Sequence, residues 1–357
     1  MGFATGSIKL TVCEYASPYL PERFQANTVP DEAIVGEEPV TGWVTGPDLI
    51  DKDFDQYGVF GRYPYFGLHT EIRKVPSALL AEMSQKRITA VMRENDMEFM
   101  SRKNKIEIKQ DVHDMLLKDM PPVSKTIPAV LTGQDNILFL GATSEKELDA
   151  FATDLYNTTG VECTEVGAER FAELSGFSLG STPPEMLRLS PLDNNELVLG
   201  REFLTWLWYH QEESAGMVDT GEGQFAYLLD GPLTFAGEGA GALESSVRKG
   251  LPTHSKEAKS ALDTGKKLTQ AALTIARGKD QWTCKFLADT FQFASLTLPE
   301  GEELDPSSRF DERILHIQMF LKVIGALYTE YLTAVTSGDC DELIERMINW
   351  KEGISGQ

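Results

Sequence analysis

Residues 255–285 read SKEAKSALDTGKKLTQAALTIARGKDQWTCK. Ser255 can cap a short helix that places Ala258, Ala261 and Leu262 on one face and Lys256, Lys259 and Asp263 on another. Gly265 fits the position just past a helix end. The run KKLTQAALTIA, 266–276, then meets RGKD and a second β-rich run, QWTCKFLADTFQFASLTL. Two such runs around Gly278 predict a β-hairpin. A helix continuing to Thr274 also has good periodicity, and Gly265 decides against it.

The same logic works outward along the chain. SIKLTVCEY, 7–15, and YFGLHTEIRKV, 65–75, alternate as strands do, and PERFQAN, 21–27, reads as a short helix. GWVTGPDLIDKDFDQ, 42–56, reads as loop. Pro76 opens a stretch without Gly or Pro over 77–117, which predicts two helices breaking near Asn95–Asp96. KTIPAVLTGQDNILFLGATS, 125–144, is two apolar runs around GQDN, a second hairpin. SEKE, 144–147, is a capping box opening a helix to about Tyr156, with a turn at Gly160 and a strand in VECTEV, 161–166. The order β–β–α–β–β–α–β predicts an α+β fold of ferredoxin-like type, with helices on one side of antiparallel sheets. In GREFLTWLWYHQEE, 200–213, the aromatic stripe reads as core or subunit interface rather than a surface for stacking bases. AGEGAGA, 236–242, lacks a P-loop's Lys-Ser/Thr and reads as a turn. RFDERILHIQMFLKVIGALYTEYL, 309–332, reads as an amphipathic helix before a frayed acidic tail. The expected divisions are an N-terminal α+β region, 1–167, with its helical hairpin at 76–119; a connecting region, 168–248; and a C-terminal α+β region, 249–357.

The chain has 357 residues and a formal charge of -22. No stretch approaches the roughly 20 apolar residues of a membrane span, and the start lacks the pattern of a secretory signal. The four cysteines, Cys13, Cys163, Cys284 and Cys340, form no CxxC pair, so reduced thiols in a cytoplasmic protein are expected. The charge is uneven. Ile72 to Lys125 holds 11 basic and 8 acidic residues, and Ser245 to Lys285 holds 9 and 3, which leaves the remainder at -31. Clustered lysines on a solvated face would look the same; the sharper reading is a polyanion site on a body that otherwise repels polyanions.

Signals for catalysis are few. No GxSxG marks a nucleophile. His210, beside Gln211 and Glu212, reads as a helix-end cap sooner than a base. DKDFD, 51–55, lacks the framework of an EF-hand. No enzyme activity, cofactor or metal is expected. The basic segments say more. Arg248, Lys249, Lys256, Lys259, Lys266, Lys267, Arg277, Lys279 and Lys285 can hold phosphates without reading bases. In RKNKIEIK, 102–109, Arg102, Lys105 and Lys109 fall on one helical face. Pairing with Glu98, Glu107 and Asp111 is the competing account there. Lys118 and Lys125 extend this second group.

An ordered series of segments then resembles the recombination-associated protein RdgC family. It runs through GWV, 42–44; RKVPSALL, 73–80; IKQDVHDMLL, 108–117; ILFLGATSEKELDAF, 137–151; GREFLTWLW, 200–208; EAKSALDTGKKLTQAAL, 257–273; and RFDERILHIQMFL, 309–321. The resemblance implies a non-enzymatic, largely sequence-independent binder of double-stranded DNA, with single strands left open. It implies a ring-shaped homodimer, nucleoid-associated in the cytoplasm, that limits access of the RecA recombinase to DNA. Two departures stand out. Where relatives carry an aromatic, arginine-rich tip, this chain has KDMPPVSK, 118–125; and Gln270 replaces a family lysine. An acidic protein-interaction module with weak or no DNA binding is the alternative.

Overall fold

The computed structural model describes residues 2–30, 38–133, 136–179, 184–238 and 243–353. In chain order the strands are β1 (Ile8–Glu14), β2 (Val40–Thr45), β3 (Val59–Phe60), β4 (Tyr63–Ile72), β5 (Val123–Leu131), β6 (Ile137–Leu140), β7 (Thr164–Glu165), β8 (Met217–Asp219), β9 (Gln224–Ala236), β10 (Glu244–Val247), β11 (Lys267–Arg277), β12 (Asp280–Leu287) and β13 (Gln292–Thr297). The helices are α1 (Pro21–Gln25), α2 (Phe54–Tyr57), α3 (Ser77–Glu94), α4 (Arg102–Asp119), α5 (Glu145–Thr159), α6 (Ala168–Leu174), α7 (Leu199–Glu213), α8 (Lys256–Asp263), α9 (Pro306–Thr336) and α10 (Cys340–Glu352). The fold is α+β, with a large antiparallel sheet and ten α-helices among the described residues.

The chain divides into two compact units. One comprises residues 1–18, 60–64 and 129–357; the other comprises 19–59 and 65–128. The expected boundaries at 167 and 248 both fall inside the larger unit, where β1, near the start of the chain, pairs with β13.

In the larger unit the strand order is β10-β9-β11-β12-β13-β1-β6-β5, with β7 on β1 and β8 on β9. The expected hairpin is present: Arg277 faces Asp280 and Leu273 faces Cys284, with Gly278 at φ 59° in the turn. Along β11, buried Ala271, Leu273 and Ile275 alternate with half-exposed Gln270, Ala272, Thr274 and Ala276. That alternation marks a sheet with one face in the core and one towards solvent. Helix α7 covers the core face. Phe203, Leu204, Leu207 and Trp208 are wholly buried, so the aromatic stripe is core. The Phe203 ring lies 4.9 Å from Tyr328, 5.7 Å from Tyr331 and 6.0 Å from Phe286, joining α7, α9 and β12.

Several local expectations are corrected. QWTCKFLADTFQFASLTL is two strands, β12 and β13, turning at Phe291 with φ 55°. Ser144 stands at the N-cap of α5 without a side-chain bond of its own, so the serine half of the capping box is not made, and Glu147 lies 3.5 Å from Lys9. α5 ends at Gly160 with φ 72°, and β7 spans only two residues. The acidic tail is the helix α10, anchored by buried Trp350 and Lys351. Ser255 does cap α8, accepting from Glu257 N at 3.1 Å, and Gly265 follows with φ 79°. AGEGAGA and GQDN fall partly on residues 239–242 and 134–135, outside the described residues.

The segment 187–195 has no regular structure, yet its backbone is satisfied by buried side chains. Lys267 Nζ donates to Leu187 O at 2.6 Å, and Glu202 Oε2 accepts from Leu187 N at 2.9 Å. Lys351 Nζ donates to Leu189 O at 2.6 Å, and Asn195 Nδ2 donates to Gly265 O at 2.6 Å. Lys267 also lies 2.9 Å from both Asp193 and Glu202, with its side chain 3% exposed. Two carboxylates share one ammonium in the core. Burial therefore holds the Glu202 carboxyl above its ordinary value, against the pull of Lys267.

In the smaller unit, β2, β4 and the first half of β5 form the sheet. GWVTGPDLIDKDFDQ, expected as loop, supplies β2 and α2. Its Trp43 and Phe54 pack on Phe24, at 5.2 and 5.6 Å, beside Phe66 at 4.7 Å from Phe24. Gly42 is required here, because a Cβ would fall 2.2 Å from Val29 N. α3 ends at Asn95, Asp96 turns at φ 50°, and α4 starts after Ser101, whose hydroxyl accepts from Asn104 N. The helical break falls where it is expected.

Removing Lys267 leaves two buried carboxylates unpaired. Lys267→Met should therefore lower stability by about 3–5 kcal/mol, whereas Lys266→Ala next to it should change it by less than about 0.5 kcal/mol. Urea unfolding of both variants checks this, and equal midpoints would contradict it.

Candidate nucleic-acid interface

The cations of the larger unit do not form one patch. Lys267 is taken out of the set of surface cations, because its ammonium is spent in the core on Asp193, Glu202 and Leu187 O. Lys266 is half-buried next to it. Arg277, at the far end of β11, is about 33 Å from Lys267 at the usual rise per strand residue. There Arg277 lies over the Phe225 ring at 4.8 Å and near Asp280 at 4.0 Å. Lys279 pairs with Glu302 at 2.5 Å, which holds the exposed ammonium above its ordinary value. Lys259 folds back onto α10, donating to Trp350 O at 3.0 Å with its ammonium 4.4 Å from the ring centre. These three are occupied within the chain.

Four others are open. Arg248 and Lys249 follow β10, Lys256 begins α8, and Lys285 lies on the solvent face of β12; all are exposed. Among the described residues none of the four has an acidic partner within 4.0 Å, and Arg248 bonds only Ser246 Oγ, at 3.0 Å. Lys285 faces Ala272 and Ala294 across the sheet, so small neighbours leave it standing clear.

The smaller unit gathers its cations more tightly. Arg102, Lys105 and Lys109 are exposed along α4, as the spacing predicts. The competing account, in which acids neutralise this face, holds for a neighbour instead: Lys103 takes Glu107 at 3.8 Å. Among the described residues Arg102 and Lys109 have no acid within ion-pair distance. No acid occupies the first turn of α4, so its positive dipole end adds to Arg102. Lys118 is exposed at the other end of α4, where its carbonyl accepts from Arg73 at 3.0 Å, and Lys125 is exposed on β5.

Sequence reasoning missed Phe99. It lies between α3 and α4 and is 76% exposed, with Lys105 Nζ 5.8 Å from its ring centre. Its neighbour Met100 is 2% exposed. An apolar pair between two helices reads as core, and only the backbone turn shows which of the two is turned outward.

The residues weighed for chemistry have structural partners. Asp53 caps α2 through Gln56 N at 3.0 Å, and Asp51 bonds Thr45 through its main chain. The His210 ring stacks 4.1 Å from Trp206, and its Nδ1 lies 2.6 Å from Tyr227 Oη; burial holds it below its ordinary value. No group of three or more potential metal ligands occurs among the described residues. No helix there is long and apolar enough to cross a membrane.

The bonds of Lys259 should be visible in stability. Lys259→Ala is expected to cost about 1–2 kcal/mol by urea unfolding, from one charged hydrogen bond and one cation–π contact. Lys256→Ala should stay within about 0.5 kcal/mol; similar losses at both would mean that Lys259 is not held.

No curated protein matches the chain. Residues 37–170, which include β2, β4, the α3–α4 hairpin and α5, match the family model described as "Putative exonuclease, RdgC". Over that stretch the resemblance read from the sequence is met, and residues 37–170 are similar to the RdgC family.

Proposed function

We propose that the chain is a non-enzymatic, largely sequence-independent binder of double-stranded DNA that modulates homologous recombination by limiting RecA access to DNA. It acts as a ring-shaped homodimer at the nucleoid, with ferredoxin-like sheets framing the ring and the open cations turned towards the duplex. One observation carries this reading. On a chain of charge -22, α4 presents Arg102, Lys105 and Lys109 on one face with exposed Phe99 at its start, inside the stretch that matches the RdgC family. Rows of exposed cations on a rigid helix suit phosphates. Lys249, Lys256 and Lys285 supply further contacts, and Lys267 supplies none.

The family description names an exonuclease. The proposal differs, because the sequence carries few signals for catalysis and, of the acids in DKDFD, the Asp53 carboxylate is engaged as the cap of α2. Incubation of labelled duplex with the chain and Mg²⁺ or Mn²⁺ should yield no product; cleavage lost on heat inactivation would overturn the non-enzymatic reading. The alternative, an acidic protein-interaction module, draws on the tip at 118–125, which has two lysines and no aromatic.

Anisotropy of a labelled duplex over a salt series tests DNA binding directly. The triple variant Arg102→Glu, Lys105→Glu, Lys109→Glu should weaken binding and lower the log–log salt slope by about 2–3 units, since each phosphate contact contributes roughly 0.9. Wild-type binding that is absent at every salt concentration of the series, or a slope unmoved by the variant, would reject the proposal.

A further inference from the structure

The larger unit carries a groove of about 1090 Å³ that includes none of the cations assigned to the proposed DNA contacts. One wall is α9, whose Leu315, Met319, Lys322, Ala326 and Glu330 recur at steps of three and four and so form one stripe. The opposite wall is Ile137 and Phe139 of β6 with Phe171 and Leu174 of α6. Leu315 is 50% exposed and Leu174 38%, so apolar surface stands open at the mouth. The backing is rigid. Phe171 packs 4.9 Å from Phe291 and 6.1 Å from Tyr328, and α6 meets α9 so closely that a Cβ on Gly325 would sit 2.8 Å from Ser175 Oγ.

The rim has the wrong sign for a nucleic acid. Asp219, Glu222 and Glu330 line it against one cation, Lys322, which is tied to Glu222. Both partners of that pair are about half-exposed, so the bond is weak and easily exchanged. Burial already holds the Glu330 carboxyl above its ordinary value, so an arriving cation would relieve it. From Leu315 to Glu330 the stripe is about 22 Å long, four turns of helix.

We infer that this groove docks an amphipathic helix of a partner protein, about four turns long, with an apolar stripe on Leu315, Met319 and Leu174 and a lysine- or arginine-bearing flank that replaces Lys322 on Glu222. Shape and charge together select this occupant: ridges of a second helix fill a groove beside α9, and the three carboxylates choose its basic flank. The site stands independently of the DNA-binding reading, and gives the acidic exterior a use of its own.

The probe is a fluorescein-labelled, helix-favouring peptide of about 18 residues, with leucines at i, i+3, i+4 and i+7 and lysines along one flank. It is titrated with the whole chain in DNA-free buffer near physiological salt. The expected result is saturable binding, at least ten-fold weaker for Leu315→Glu and for Glu222→Lys, and absent for a scrambled peptide of the same composition. Hydrogen exchange should slow over 171–175 and 315–330. No saturation, equal binding of the scrambled peptide, or affinity unmoved by a correctly folded Glu222→Lys would overturn the proposal. Circular dichroism verifies each variant's fold, and Glu222→Lys, at an exposed turn, keeps the test valid if Leu315→Glu misfolds. Duplex binding by both variants is measured alongside. Loss of peptide binding with duplex binding intact is the groove's signature, whereas failure of the wild-type chain to bind duplex while it binds peptide rejects the DNA reading alone.

Discussion

The larger unit depends on one buried cation. Lys267 begins β11, yet its ammonium reaches Asp193, Glu202 and the carbonyl of Leu187. Glu202 belongs to α7, so the cluster binds the sheet, the covering helix and an irregular segment at a single point. Desolvating three charges costs more than a pair returns unless hydrogen bonds complete the shell. Here Leu187 N and O and Asn195 Nδ2, which bonds Asp193 at 2.7 Å, complete it. The exchange gives geometric definition. A segment with no helix or strand of its own, 187–195, is held between Lys267 and Lys351 as firmly as a strand would be by its ladder.

This constraint also explains what the sequence conceals. Lys266 and Lys267 are adjacent and chemically alike, and in a strand they point to opposite sides. Which one enters the core is a matter of register, and register depends on partners some 65 to 80 positions away, Glu202 and Leu187. The local signals were legible because they are local. The Gly265 stop, the Gly278 turn, the break at Asn95–Asp96 and the α7 stripe each follow from residues within one or two turns. The closing helix was legible from its period. What stayed hidden came from long-range pairing. β1 pairs with β13 about 280 positions away, β2 hides in a loop-like composition, and α10 is held by Trp350 packing on Trp208 at 5.1 Å.

The candidate site divides along the same line. Helical spacing placed Arg102, Lys105 and Lys109 on one face because only the period of α4 was needed. The nine cations of 245–285 looked like one cluster because sequence distance was taken for spatial distance. A straight strand converts ten residues into about 33 Å, so Lys267 and Arg277 belong to opposite ends of β11. Charge density along a chain is therefore informative on a helix and misleading on a strand. Phe99 shows the converse failure, since its exposure depends on a backbone turn that composition does not encode.

A charge of -22 and the proposed DNA-binding face are compatible because they act over different ranges. At physiological ionic strength fields decay over about 8 Å. A phosphate touching Arg102 or Lys109 therefore responds mainly to the cations beside it, while acids one helix diameter or more away are strongly screened. At about 0.01 M salt the decay length grows to roughly 30 Å, and the whole acidic body then repels an approaching polyanion. Contact attraction and body repulsion thus weaken with salt at different rates. The acidity leaves close contacts intact and penalises casual encounters, which suits the proposed holding of DNA at one face and nowhere else. The same field favours basic partners at any other exposed site, and the apolar groove beside α9, rimmed by Asp219, Glu222 and Glu330, is where that preference has a shape to act through.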